Sequence, residues 1–175
     1  MNWVGFAVLV FLATVLQTSV APFLAVHTIR PDLMVIVAVF FGLYARPADA
    51  MLGCWIIGLV IDLCSLSHPG RANVGLHALT LGLLGLFMVK TRGVTFREGM
   101  ISHLIYTFIV SFLLTMALGL YLVWDNPDWS GMGRRTAVAF YTAIYTAVLA
   151  PYGHFALRRL RGLLGLNIGQ HDFRP

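Results

Sequence analysis

Apolar residues in this chain come in long blocks rather than in the alternating pattern of half-buried strands. Six such blocks are separated by short polar or Pro/Gly segments, at about Trp3 to Ala21, Leu33 to Ala45, Ala50 to Leu66, Val74 to Val89, Met100 to Trp124 and Thr136 to Leu157. Blocks of this length and apolarity predict helices that cross a bilayer, since a hydrocarbon core of ~30 Å takes about 20 helical residues. The second block falls short. Its 13 residues make ~20 Å of helix, so either its ends draw Asp32 and Arg46 into the interface or the segment is re-entrant. Arg46-Pro47-Ala48-Asp49 is read as a break before the third span, and Pro22 with the His27–Asp32 cluster as the end of the first.

Within the blocks, the smallest residues keep helical spacing. Counting back by fours from Asp62 gives Gly58, Cys54 and Ala50, and the next span carries Gly75, Ala78, Gly82 and Gly85. Small residues on one face let two membrane helices approach closely, so spans three and four are expected to form a tight antiparallel hairpin. Asp62 stands where the first row meets the turn. An isolated carboxylate in lipid costs roughly 2.5–3.5 kcal/mol on insertion scales and takes a partner. Arg30 and Arg71 are the candidate cations, so Asp62 is read as half of a structural ion pair. Two further polar rows, His103-Thr107-Ser111-Thr115 and Thr142-Thr146-His154, are read as interhelical hydrogen-bonding groups in spans five and six.

Composition agrees with a membrane bundle: 59% of the 175 residues are hydrophobic and 11% charged, where a soluble domain averages about 25% charged. The expected fold is therefore all-α and polytopic, with residues 1–157 in one bundle and 158–175 as a basic tail, read as an ordinary positive-inside stop signal in preference to a segment lying on anionic lipid. No basic patch is interleaved with aromatics, so nucleic acid is not an expected partner. The first block has no preceding Lys or Arg and is followed by Pro22, and is kept as a span rather than a cleaved signal. With six spans, Arg46, Lys90, Arg92, Arg97, Arg158, Arg159, Arg161 and Arg174 lie on one side, and Arg30, Arg71, Arg134 and Arg135 on the other. The richer side is expected to be cytoplasmic, with both termini inside. Were the second block not to cross, the N-terminus would be outside and the C-terminus still inside; charge alone leaves both arrangements open.

Little here is built for catalysis. A single intramembrane acid does not supply the paired carboxylates of an aspartyl protease, and there is no nucleophile elbow, Walker loop or dinucleotide fingerprint. His27, His68 and His77 fall on the external side without metal-ligand spacing, and no metal or other cofactor is expected. Cys54 and Cys64, ~15 Å apart along one helix, cannot form a disulfide and are read as buried packing residues.

Several of these features together resemble the MreD family of rod shape-determining proteins. Gln17 and Pro22 match the end of the family's first span, Arg30-Pro31-Asp32-Leu33 its following turn, and Gly58-Leu59-Val60-Ile61-Asp62-Leu63 the motif of its third span. The Gly-containing stretch from Gly70 to Gly85 matches its fourth. The resemblance covers about residues 16 to 90 and favours six spans over five. It implies a non-enzymatic inner-membrane scaffold of the bacterial cell-elongation machinery. Such a scaffold binds MreC and acts indirectly with MreB and with RodA and its class B penicillin-binding protein, with Gln17, Arg30, Pro31, Asp32, Gly58, Asp62 and Arg71 as structural or partner-binding residues. The family fold is similar to that of the six-helix S components of energy-coupling-factor vitamin transporters, so a solute-binding transporter subunit is the alternative expectation.

Overall fold

The computed structural model describes residues 2–26, 29–65, 75–91, 100–125, 131–160, 162 and 164. Six helices follow one another: α1 (Trp3–Ser19), α2 (Leu33–Tyr44), α3 (Pro47–Ser65), α4 (Leu76–Thr91), α5 (Met100–Asp125) and α6 (Met132–Arg159). Among the described residues there is no strand, only an isolated antiparallel bridge between Val26 and Ile29. Two of the helices, α3 and the Ile101–Trp124 part of α5, are individually long and apolar enough to cross a membrane. Helices α1, α2 and α4 are apolar but shorter.

The centre of the bundle is α2, the shortest helix. It touches each of the other five, which no other helix does, and every residue from Met34 to Tyr44 is buried. The tight hairpin expected of spans three and four is present as α3 and α4, but the most enclosed helix is α2. The reason lies in its composition, since a helix that is hydrophobic all round must be enclosed all round. At 12 residues, or ~18 Å, α2 is shorter than a bilayer core is thick, and protein surrounds it. Close approach is achieved at two glycines. A Cβ on Gly42 would meet Met88 of α4 at 2.7 Å, and one on Gly153 of α6 would meet Ile36 of α2 at 2.8 Å. Phe41 completes the seam to α1, edge-on to Phe6 at 4.8 Å between ring centres.

The helix starts follow local chemistry. Asn2 accepts the Val4 N–H to open α1, and Asp32 accepts those of Met34 and Val35 to open α2, as short polar side chains do at an N-cap. Arg46–Asp49 is not the break expected from the sequence. Helix α3 begins at Pro47, whose missing N–H costs nothing at a first helical position, and Asp49 falls in its first turn, where the helix dipole favours a negative charge.

The other departure concerns the cysteines. Cys54 is buried, but Cys64 is exposed on the outer side of α3, so only the first is a packing residue; no disulfide joins them. At the far end, α6 extends to Arg159, and the Leu164 carbonyl accepts the Asn2 N–H at 2.9 Å. Leu164 is itself buried and so lies against the start of α1.

Candidate functional site

The α3–α4 hairpin is fastened at its turn by Asp62, which is fully enclosed. Its Oδ2 accepts the N–H of Gly75 at 2.9 Å and of Ala78 at 3.1 Å. Its Oδ1 accepts the N–H of His77 at 3.2 Å and lies 2.6 Å from His77 Nδ1. Asp62 is therefore the cap of α4, supplied from the preceding helix. The first four N–H groups of a helix lack an intrahelical partner, and the Asp62 carboxylate accepts three amides at the start of α4 while complementing the positive end of the dipole. Among the described residues the side chain that reaches it is the His77 ring. Arg30 is exposed and is not among the groups reaching the carboxylate, and Arg71 lies outside the described residues.

The two small-residue rows meet as follows. Gly58 faces α4 so closely that a Cβ would lie 2.5 Å from Ala78 Cα and from the His77 carbonyl oxygen. A Cβ on Gly85 would lie 3.0 Å from that of Cys54. Ala50, Cys54 and Ala78 are all buried. Gly82 is looser, with Trp55 as its nearest neighbour at 3.4 Å. Gly75 stands apart from the packed stripe: nothing lies within 4 Å of its Cβ position, and its φ is +100°. Only glycine holds that backbone without strain, and the conformation aims the Gly75 N–H at Asp62.

On the side of the hairpin away from α2, Met51, Leu52, Trp55 and Leu59 of α3 and Ala78, Leu79, Gly82, Leu83 and Leu86 of α4 line an open apolar groove of about 610 Å³.

A second fastening joins α1 to the turn before α2. Gln17 accepts the Leu33 N–H at 2.8 Å and donates to the Pro31 carbonyl at 3.4 Å. Asp32 donates its own N–H to Thr146 of α6 at 3.0 Å. Burial raises the Asp32 carboxyl above its ordinary value, opposed by the Val35 and Met34 N–H groups and by His77. Three of the four Arg30–Leu33 residues are thus tied to α1 and α6, while Arg30 faces outward. Replacing Gln17 with leucine is expected to cost about 1–3 kcal/mol by orphaning the Leu33 N–H, and glutamate, which keeps the acceptor, should cost less. Reversible unfolding in micelles checks both.

At the opposite end of α2 lies a cluster that the sequence reading did not assemble. The Arg158 Nη2 donates to the Tyr44 hydroxyl at 2.7 Å and lies 3.0 Å from His103 Nε2. The Tyr44 hydroxyl lies 2.9 Å from the same nitrogen. His154 stacks on His103 with ring centres 4.3 Å apart. The available signal was the pair of rows on spans five and six, with Arg158 one turn beyond His154. Tyr44, from a third helix, has no sequence relation to either row. Of the row residues, Thr115 bonds its own helix at the Ser111 carbonyl, and Thr146 holds the turn before α2.

Among the described residues no group of three or more metal-ligating side chains occurs. What they form is an all-helical bundle whose polar residues bind helix ends to one another, as in a membrane-embedded structural protein. The chain belongs to the MreD family: the sequence profile of rod shape-determining protein MreD matches residues 1–152. Its role is accordingly in rod-shape determination, and the family is one of membrane shape proteins rather than of enzymes. No curated protein and no solved structure matches the chain. The transporter-subunit alternative gains no support from these comparisons.

Proposed function

We propose that this protein is a multi-pass scaffold of the bacterial cell-elongation machinery. It sits in the inner membrane with six spans and both termini in the cytoplasm, and it holds the transmembrane helix of an MreC-like partner. Through that partner it acts with MreB and with RodA and a class B penicillin-binding protein to support lateral peptidoglycan synthesis. The observation that carries this reading is the family match over residues 1–152. The excess of basic residues on one side of a six-span bundle supports the orientation. Enclosure of α2 by five helices accounts for a span shorter than the bilayer.

The α3–α4 groove is where we place the partner helix. It is concave and apolar, and Ala78 and Gly82 in its wall let a second backbone come near. It also lies on the hairpin that Asp62 locks, so the surface offered to a partner is rigid. Mild-detergent capture of the tagged protein from its host, with mass spectrometry of what it brings along, tests the proposal: MreC should be recovered. Leu79 and Leu83 are exposed groove residues. Changing both to tryptophan fills the groove and is expected to lower MreC recovery by about tenfold, 1.4 kcal/mol of affinity, with unchanged accumulation. The same change at Phe140 and Val148, exposed on α6, should leave recovery intact. Equal recovery from both variants would remove the partner from the groove.

A further inference from the structure

Arg158 is a half-buried guanidinium with no carboxylate partner among the described residues. Its contacts are the Tyr44 hydroxyl, His103 Nε2 and the face of the Tyr44 ring, 5.7 Å from the guanidinium carbon. Its Nε–H is buried and unsatisfied. One turn earlier on α6, His154 is 1% exposed, and neither of its ring nitrogens has a partner. The neighbouring Arg159 behaves differently: it is exposed and lies over Phe155 at 4.8 Å. A charge withdrawn from water requires an opposite charge or several acceptors, and buried polar atoms are otherwise almost always paired.

The unsatisfied groups extend inward. Thr107 and Ser111 are fully buried on α5, one and two turns beyond His103, and neither hydroxyl has a partner. This is unusual within the chain itself. Thr14, Thr18, Thr80, Thr91, Thr115 and Thr136 all donate to the carbonyl four residues back. The Thr107 and Ser111 hydroxyls make no such bond and remain available to an occupant of the α5–α6 interface. Among the described residues the cluster is rich in donors and contains no acid.

We propose that the end of the bundle where α2 and α6 terminate and α5 begins is an anion-binding site, taking a phosphate group through Arg158 Nε–H and His154. Tyr44 and His103 hold the guanidinium in place by occupying its Nη2. Guanidinium and phosphate are matched in charge and hydrogen-bonding geometry. The phosphate comes either from an anionic phospholipid headgroup or from a soluble phosphate. This site does not depend on the partner-helix proposal, and failure of MreC capture would leave it standing.

The test is thermal unfolding of the purified, delipidated full chain with three probes: dioctanoyl phosphatidylglycerol, dioctanoylglycerol of the same chain length, and inorganic phosphate. The phospholipid is expected to raise Tm by about 5 °C or more at saturation, and dioctanoylglycerol to give no such rise. The rise should persist in Arg159→Gln and disappear in Arg158→Gln. A matching rise with inorganic phosphate makes a soluble anion the ligand; none makes it the lipid. Should Arg158→Gln fail to accumulate, His154→Phe, which keeps an aromatic ring on His103, is read instead and should lower apparent affinity about tenfold. Absence of any rise in the wild-type chain with either phosphate probe overturns the proposal. So does a rise of equal size with dioctanoylglycerol, or one retained in Arg158→Gln or undiminished in His154→Phe.

Discussion

Replacing Asp62 with alanine is expected to cost about 3–5 kcal/mol, because it leaves several donors without their acceptor at about 1–3 kcal/mol for each one that stays buried, and to abolish both accumulation and rod-shape complementation. The loss has two sources. Three N–H groups at the start of α4 lose their acceptor, and His77 loses the carboxylate 2.6 Å away. Asparagine separates them, because its amide oxygen can still accept from the α4 backbone while the charge is gone. Asp62→Asn should therefore retain more stability than Asp62→Ala, in a measured difference of at least 1 kcal/mol, since loss of a helix cap alone costs about 0.5–2 kcal/mol. Full complementation by the alanine variant would show that the hairpin does not depend on this carboxylate.

The second large effect is expected at Gly58. Gly58→Ala places a methyl group 2.5 Å from the Ala78 Cα and the His77 carbonyl oxygen, and 2.7 Å from the Ala78 nitrogen. All three are backbone atoms, so no rotamer change can make room. Overpacking of this kind costs about 1–3 kcal/mol, sometimes more, and here it pushes α4 away from the carboxylate that caps it. The expected result is a loss of about 3 kcal/mol in micelle unfolding, together with weaker MreC capture as the groove walls separate. Gly82→Ala is the control. Its new Cβ would meet only the Trp55 side chain, at 3.4 Å or more, and should be tolerated within about 0.5 kcal/mol.

The sequence placed Asp62 correctly as a buried charge needing a partner, because a carboxylate inside an apolar block has few other meanings. It did not reveal which partner, since the α4 backbone reaches Asp62 from 13 to 16 residues downstream and backbone N–H groups leave no compositional trace. Arg30 drew attention as a formal charge but is exposed; among the described residues it is His77 and three amides that reach Asp62, and Arg71 lies outside them. Gln17 and the Arg30–Leu33 turn were visible only through family resemblance; that the first grips the second is a fact of geometry. The shortness of the second block was legible, but it was read as an interfacial or re-entrant segment; that five helices enclose it follows from long-range packing that leaves no local pattern. The Arg158 cluster was the least legible, since it draws Tyr44, His103 and Arg158 from three helices more than 50 residues apart in the chain.

The enclosure of α2 also bears on how the protein is made. When its 12 apolar residues leave the ribosome, only α1 is there to cover them, and the Thr146 that holds the preceding turn has not been synthesised. A helix apolar on every side needs all its neighbours, so its surroundings are complete only once α6 has been made. Chains that stop before α6 are then expected to be cleared by membrane proteases as unfinished products, and the last helix becomes the step at which the cell commits to a complete molecule.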